Sequence, residues 1–303
     1  MQYHRVHYVA SPASLALPTD ATEVDGPTIL HSTVITGDAV DTLKRLPDKL
    51  VQTVITSPPY WSLRDYSMPG QIGLEDDPDE YVASLVAVFD EVCRVLKDDG
   101  ALWLNIGDSY TSGGRTWRAP DKKHPVRAMS TRPPTPEGLK PKELVGIPWR
   151  LAFALQKAGW YIRSDVIWRK PNAMPESVKD RPTRSHEYLF LLTKSERYYY
   201  DTGAVREANG RNVRTVWDVH TQALRDVHFA TFPTKLVEPC VLLTSKPGDI
   251  VLDPFFGSGT VGVVAIEQGR AFLGIELNPA YVEIAKRRLR ETAHLEQRME
   301  EVG

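Results

Sequence analysis

Asp249-Ile250-Val251-Leu252-Asp253-Pro254-Phe255-Phe256-Gly257-Ser258-Gly259-Thr260 reads as a strand emptying into a tight turn, and the apolar run Val261 to Gln268 reads as the helix that follows. Gly257 and Gly259 let backbone approach a ligand closely, and the new helix offers N–H groups that no helical carbonyl satisfies. With Gly262 the spacing satisfies G-x-G-x-x-G. The next strand, Phe272 to Ile275, ends at Glu276, where a carboxylate can accept from ribose hydroxyls. The unit points to a nucleoside cofactor. Tight strand-to-helix turns also use glycine for steric reasons alone, so this turn needs support from elsewhere in the chain.

Outward from this unit, strand-like and helix-like runs alternate from about Thr33 onward, the pattern of βαβ units and a largely parallel sheet. Strands are expected at Thr33 to Thr36, Val51 to Ile55, Ala101 to Ile106, Tyr161 to Trp168, Tyr188 to Thr193, Asp249 to Leu252 and Phe272 to Ile275. Between them, Glu80 to Leu96 places Tyr81, Leu85, Val88, Val92 and Leu96 on one helical stripe, Pro148 to Ala158 is a shorter helix, and Pro279 to Met299 closes the chain. The fold class is α/β, one Rossmann-like domain over 29–303, preceded by a flexible arm over 1–28. Two regions interrupt it. Thr111 to Gly146 holds too many prolines and glycines for a core element, and Arg197 to Val227 is polar and weakly patterned. Both read as insertions, and long excursions from a compact domain are often functional.

A second motif follows another strand. After the β-branched run Val51, Val54 and Ile55 comes Thr56-Ser57-Pro58-Pro59-Tyr60. The two prolines remove backbone donors and leave bare carbonyl acceptors; Ser57 adds a hydroxyl and Tyr60 a flat ring for stacking. Such a loop suits an exocyclic amino group on a planar ring. A strand terminator with a packing tyrosine is the plainer alternative. Asp38, after the strand Thr33 to Thr36, is either an acceptor for an adenine amine or the N-cap of a helix over Ala39 to Leu46. In a parallel sheet all these turns lie at the carboxyl edge, where open α/β sheets bind ligands.

Bulk composition narrows the classes. No apolar run approaches the ~18 residues of a membrane span, and Met1 to Ala10 lacks a secretory layout. Two cysteines far apart, Cys93 and Cys240, argue against a disulfide framework, so a cytoplasmic setting is expected. A net charge of −2 is not that of a general nucleic-acid binder, but the charges are segregated. Glu75 to Asp99 is acidic, whereas Arg115 to Glu143 carries eight Lys or Arg against three acidic residues.

Taken together, these motifs resemble those of an S-adenosylmethionine-dependent DNA amino-methyltransferase. Asp253 to Thr260 is similar to its cofactor loop and Thr56 to Tyr60 to its catalytic loop, with serine first. Trp168-Arg169-Lys170-Pro171-Asn172, Met174-Pro175-Glu176-Ser177 and Ser185-His186-Glu187-Tyr188 resemble the stretch before its last strands, and His228-Phe229-Ala230-Thr231-Phe232-Pro233 its cofactor-covering segment. The catalytic loop precedes the cofactor loop, as in the circularly permuted β group. The resemblance implies a seven-stranded, mostly parallel sheet with one antiparallel strand. It implies S-adenosyl-L-methionine held by Asp38, Thr56, Phe232, Pro233, Asp253, Phe255, Phe256, Gly257, Ser258, Gly259, Thr260 and Glu276. It assigns catalysis to Ser57, Pro58, Pro59 and Tyr60.

The implied partner is double-stranded DNA, with a cognate restriction endonuclease acting on the same sequence. Both insertions, 111–146 and 197–227, are candidate target-recognition regions. Lys122, Lys123, Arg127, Arg132, Lys170, Asn172, Arg181, Arg184 and His186 are candidate DNA contacts, each with a solvated or structural role as the alternative. In the family, serine in the first place mostly accompanies cytosine N4 transfer and aspartate or asparagine adenine N6, so cytosine is the expected target and adenine the alternative. A base in a duplex must be flipped out to reach such a loop, at roughly a few kcal/mol. Attack on cytosine C5 needs a thiolate, and Cys240 lies in the apolar helical run Leu236 to Leu243, which reads as core. Rivals from other classes are a dinucleotide-dependent oxidoreductase and a catalytically silent DNA-binding module.

Overall fold

The computed structural model describes residues 2–14, 28–111, 134–223 and 230–300. The elements run β1 (Gln2–Val9), β2 (Thr28–Thr36), α1 (Ala39–Leu43), β3 (Val51–Thr56), α2 (Pro78–Val95), β4 (Leu96–Ile106), α3 (Ile147–Lys157), β5 (Tyr161–Arg169) and β6 (His186–Thr193). They continue with β7 (Val216–Asp218), β8 (Gln222–Ala223), β9 (Ala230–Thr231), α4 (Thr234–Thr244), β10 (Ile250–Asp253), α5 (Thr260–Glu267), β11 (Ala271–Glu276) and α6 (Pro279–Glu300).

Nine strands form one sheet in the order β1-β2-β11-β10-β3-β4-β6-β5-β7, and β8 pairs with β9 separately. Only β6 runs against its neighbours; the other pairs in the sheet are parallel. Successive side chains on a strand face opposite sides, so the sheet builds two cores. Ile35, Val54, Leu102 and Leu104 pack with α1, α2 and α3, whereas Val34, Ile55, Ala101 and Trp103 pack with α4, α5 and α6. Helices on both faces explain why β3 is buried along its whole length, its Gln52, Thr53 and Thr56 included.

Two strands exceed the expected seven. Gln2–Val9, expected within a flexible arm, pairs in register with Thr28–Ile35 as the sheet's edge. Its His4, Arg5 and His7 hid it, because an edge strand needs little apolar burial. Val216–Asp218 is too short for any periodicity to show, and it is held by pairing with β5 and by the buried Trp217. The first insertion leaves and returns at one point: Thr111 N–H donates to the Glu143 carbonyl at 2.9 Å and Thr111 Oγ1 to the Lys140 carbonyl at 2.6 Å. Residues 112–133, with Lys122, Lys123, Arg127 and Arg132, lie outside the described residues. No helix among the described residues is long and apolar enough to cross a membrane.

Candidate active site

Strands β10 and β3 are neighbours at the centre of the sheet, and from them the chain turns toward opposite edges. This is the switch point where open α/β sheets place ligands. A cavity of about 360 Å³ opens there, within the range of small-molecule sites. One side is lined by Gly37, Asp38, Phe255, Gly257, Thr260 and Glu276, the other by Ser57, Pro58, Tyr60, Asn105, Trp168 and Glu187. The glycine turn and the proline turn therefore share one rim.

On the glycine side, Gly257 (φ 52°) and Gly259 (φ 79°) take the left-handed conformation that a side chain disfavours. Glu276 accepts from the N–H of Gly257 and of Asn278, both at 2.7 Å. Burial pushes its pKa up, and those backbone donors pull it back. Arg288, from α6, donates to the Ser258 carbonyl at 2.6 Å and Oγ at 2.9 Å and to Thr260 Oγ1 at 3.2 Å. Ser258, expected to face a cofactor, lines the cavity while its hydroxyl oxygen accepts from Arg288. Phe255 and Phe256 both line the cavity, and the Phe256 ring also stacks on Phe272 in the core and fills the space left by Gly262 and Gly274.

Thr56 and Asp253 are buried and bond to each other rather than lining the cavity. Phe232 lines it, and Pro233 caps α4. Asp38 is the N-cap of α1, its carboxylate accepting from the Asp41 N–H at 2.9 Å, and it also lines the cavity.

On the proline side, a chain of hydrogen bonds orients Ser57. Asn105 donates its amide nitrogen to the Tyr188 carbonyl at 3.1 Å and to Glu187 at 3.2 Å. A carbonyl only accepts, so Asn105 must turn Oδ1 the other way, where it accepts from Ser57 Oγ at 3.2 Å. With its proton so engaged, the Ser57 oxygen is left as an acceptor toward the cavity. Tyr60 OH donates to Glu187 Oε2 at 2.7 Å. Burial, and then the charge of Glu187, holds the phenol well above its ordinary pKa, so it remains a neutral donor. Glu187 in turn pairs with Lys170, whose ammonium lies 4.2 Å from the centre of the Trp168 ring. One carbonyl expected to be bare is not, since the Tyr81 hydroxyl donates to Pro59 O at 2.8 Å. Among the described residues Pro58 O takes no such bond.

The family model for N6 and N4 methyltransferases, described as DNA methylase, matches residues 51–287. The chain belongs to this DNA methylase family. The Type II methyltransferase M.Cfr9I of Citrobacter freundii is 64% identical over 262 residues, 85% of this chain and 87% of that protein. M.SmaI of Serratia marcescens is 58% identical over 262 residues, 84% and 90% of the two chains. Among solved structures, a putative DNA modification methylase of Thermus thermophilus complexed with S-adenosyl-L-methionine matches with TM-score 0.62 and 27% identity, covering 86% of this chain and 96% of that one. The cytosine-N4-specific PvuII DNA methyltransferase shares the fold, with TM-score 0.67 at 20% identity over 87% and 91% of the two chains.

In this DNA methyltransferase several candidate DNA contacts have partners within the protein. Lys170 pairs with Glu187 in the cavity wall, and Arg181 pairs with Glu176 and lies over the Tyr110 ring. Arg184 donates to the Asp108 carbonyl. Asn172 grips the Thr221 backbone at both its carbonyl and its N–H, and His186 packs edge-on against Tyr188. Cys240 is core, its thiol pushed up in pKa by burial and donating to the Leu236 carbonyl. Asn105 and Glu187 were missed as site residues. Asn105 was readable as the one amide in the apolar run Ala101 to Ile106, since a buried polar side chain needs a partner.

Proposed function

We propose that this methyltransferase transfers a methyl group from S-adenosyl-L-methionine to the exocyclic N4 of a cytosine flipped out of duplex DNA. The carrying observation is the Ser57 hydroxyl, its proton committed to Asn105, facing a cavity that the glycine turn also lines. The left-handed glycines, Glu276 and Asp38 suit a nucleoside cofactor, and the Thermus relative was solved with this one. When bound, it supplies an electrophilic methyl group.

Residues of the chain make the amine nucleophilic. Its lone pair is delocalised into the ring, and hydrogen bonds from the amino group to Ser57 Oγ and the Pro58 carbonyl favour a tetrahedral nitrogen with the pair localised. Tyr60, tethered at its hydroxyl, presents its ring for stacking, worth about 1–3 kcal/mol. Proximity and orientation supply most of the acceleration. Ser57 is a weak base, so its role is positioning, and the amine proton leaves during or after transfer.

Serine at the first place of the motif supports cytosine over adenine. The Type II relatives support a role opposite a restriction endonuclease of the same specificity. Incubation with labelled S-adenosylmethionine and unmodified DNA, followed by mass spectrometry of the nucleosides, tests the reading. N4-methylcytosine is expected; N6-methyladenine reassigns the base, and no labelled nucleoside overturns the proposal.

A further inference from the structure

Beside the cavity, the chain from Lys170 to Pro175 forms a stiff, outward-facing turn. Ala173 N–H donates to the Lys170 carbonyl at 3.1 Å, Lys170 N–H to the Ser185 carbonyl at 2.7 Å, and Asn172 holds the Thr221 backbone through two hydrogen bonds. Lys170 and Thr221, the two anchors of this turn, themselves line the cavity. Pro171 and Pro175 bracket it, and a residue before proline is confined to extended backbone. On this stem stands Met174, 78% exposed, more than any other large apolar side chain among the described residues. The surrounding segment 169–184 is basic, with Arg169, Lys170, Lys179, Arg181 and Arg184 against Glu176 and Asp180.

An exposed, unbranched apolar side chain on a pinned backbone, on a basic segment beside a base-sized cavity, matches the chemistry of a wedge. Flipping a base leaves a gap in the stack, and apolar side chains, methionine included, enter duplexes at such steps. Methionine's flexible, polarizable thioether adapts to an irregular gap. Asn172 and the prolines keep the stem ordered, so insertion sacrifices little backbone entropy.

We infer that Met174 enters the duplex and occupies the space vacated by the flipped target base. The inference rests on the base-flipping reading above. The test uses Met174→Ala and Met174→Leu. Sequencing of methylated plasmid DNA first locates the modified site. Duplex oligonucleotides carrying that site are then compared, with the base opposite the target either present or replaced by an abasic residue. On the fully paired duplex, Met174→Ala lowers kcat/KM about tenfold or more while Met174→Leu stays near the parent enzyme. Against the abasic partner, where the target is already unpaired, the deficit of Met174→Ala narrows, and its affinity for S-adenosylmethionine is unchanged throughout. Parent-like rates for Met174→Ala on the paired duplex, or an equal deficit on both duplexes, overturn the wedge and leave the methyltransferase reading intact. A parent enzyme that modifies no DNA overturns both.

Discussion

Thr56 Oγ1 donates to Asp253 Oδ1 at 2.6 Å, joining the carboxyl end of β3 to that of β10 across a bond between residues that are both almost wholly buried. The proline turn begins at the next residue after Thr56 and the glycine turn at the next after Asp253, so this one contact sets the spacing of the two loops that line the cavity. Asp253 also accepts from the Phe255 N–H at 3.0 Å. Burial nevertheless pushes its carboxyl up to about 7, the charge of Glu276 adding to the rise and the bonds from Thr56 and Phe255 opposing it.

That shift makes stability depend on pH. In the unfolded chain Asp253 titrates near its ordinary 3.8, and in the folded protein near 7. Between these values the folded state binds more protons. The contribution is therefore fully present below the lower value, falls by about 1.4 kcal/mol per pH unit through the window, and is lost above the upper. Asp253→Asn keeps an acceptor for Thr56 and cannot titrate. Urea midpoints of both proteins between pH 4.5 and 8.5 should show the parent losing ground relative to the variant as pH rises. Parallel curves would remove the buried-proton assignment.

Removing the Ser57 hydroxyl should lower turnover and spare cofactor affinity, since Ser57 faces the amine side of the cavity. Ser57→Ala is expected to reduce kcat by about a hundredfold, the scale of losing one positioned hydrogen-bonding group. Asn105→Ala should do likewise while Ser57 remains, because the serine proton then loses its nearer acceptor and keeps only the Tyr60 hydroxyl at 3.5 Å. Asn105→Ala also removes the side-chain bonds to the Tyr188 carbonyl and to Glu187, at about 1 kcal/mol of stability each. Single-turnover rates beside cofactor binding by calorimetry check both variants. Equal losses of rate and cofactor affinity in Ser57→Ala would contradict its placement.

What the chain revealed before its fold was known follows from the range of each interaction. Strand β3 and the helix α2 announce themselves because burial on both faces, or on one stripe, leaves a local pattern in residues such as Val54, Ile55, Tyr81 and Leu85. The two turns were legible because glycine and proline constrain backbone by themselves. The orientation of Ser57 was not, since it depends on Asn105 in β4 and on the Tyr188 carbonyl in β6, 83 residues further along the chain. The Arg288 clamp on Ser258 likewise spans 30 residues and leaves no local mark.

Glu276→Ala should weaken cofactor binding and loosen the glycine turn together. The carboxylate holds the N–H groups of Gly257 and Asn278. Their release costs about 1–3 kcal/mol if water does not replace the bonds. Thermal unfolding with and without S-adenosylmethionine separates the effects. The variant is expected to melt lower without ligand and to gain less than the parent when ligand is added. An undiminished gain would deny Glu276 a part in holding the cofactor.

Gly107 is the position where a single methyl group should disable the stacking ring. A Cβ there would fall 2.5 Å from Tyr60 Cε2, closer than carbon atoms approach, and a tight 3.1 Å from Cδ2, so the ring must move. Its hydroxyl is tied to Glu187 at 2.7 Å, and movement breaks that bond or drags Glu187 with it. Gly107→Ala should therefore lower kcat, with cofactor affinity kept. The cause is isolated by a cycle with Tyr60→Ala, which removes the clashing ring atoms. If Gly107 acts only through Tyr60, Gly107→Ala adds no further loss in the Tyr60→Ala background, a coupling as large as its own single effect. Additive losses would mean that Gly107 matters to the cavity in some way other than leaving room for that ring.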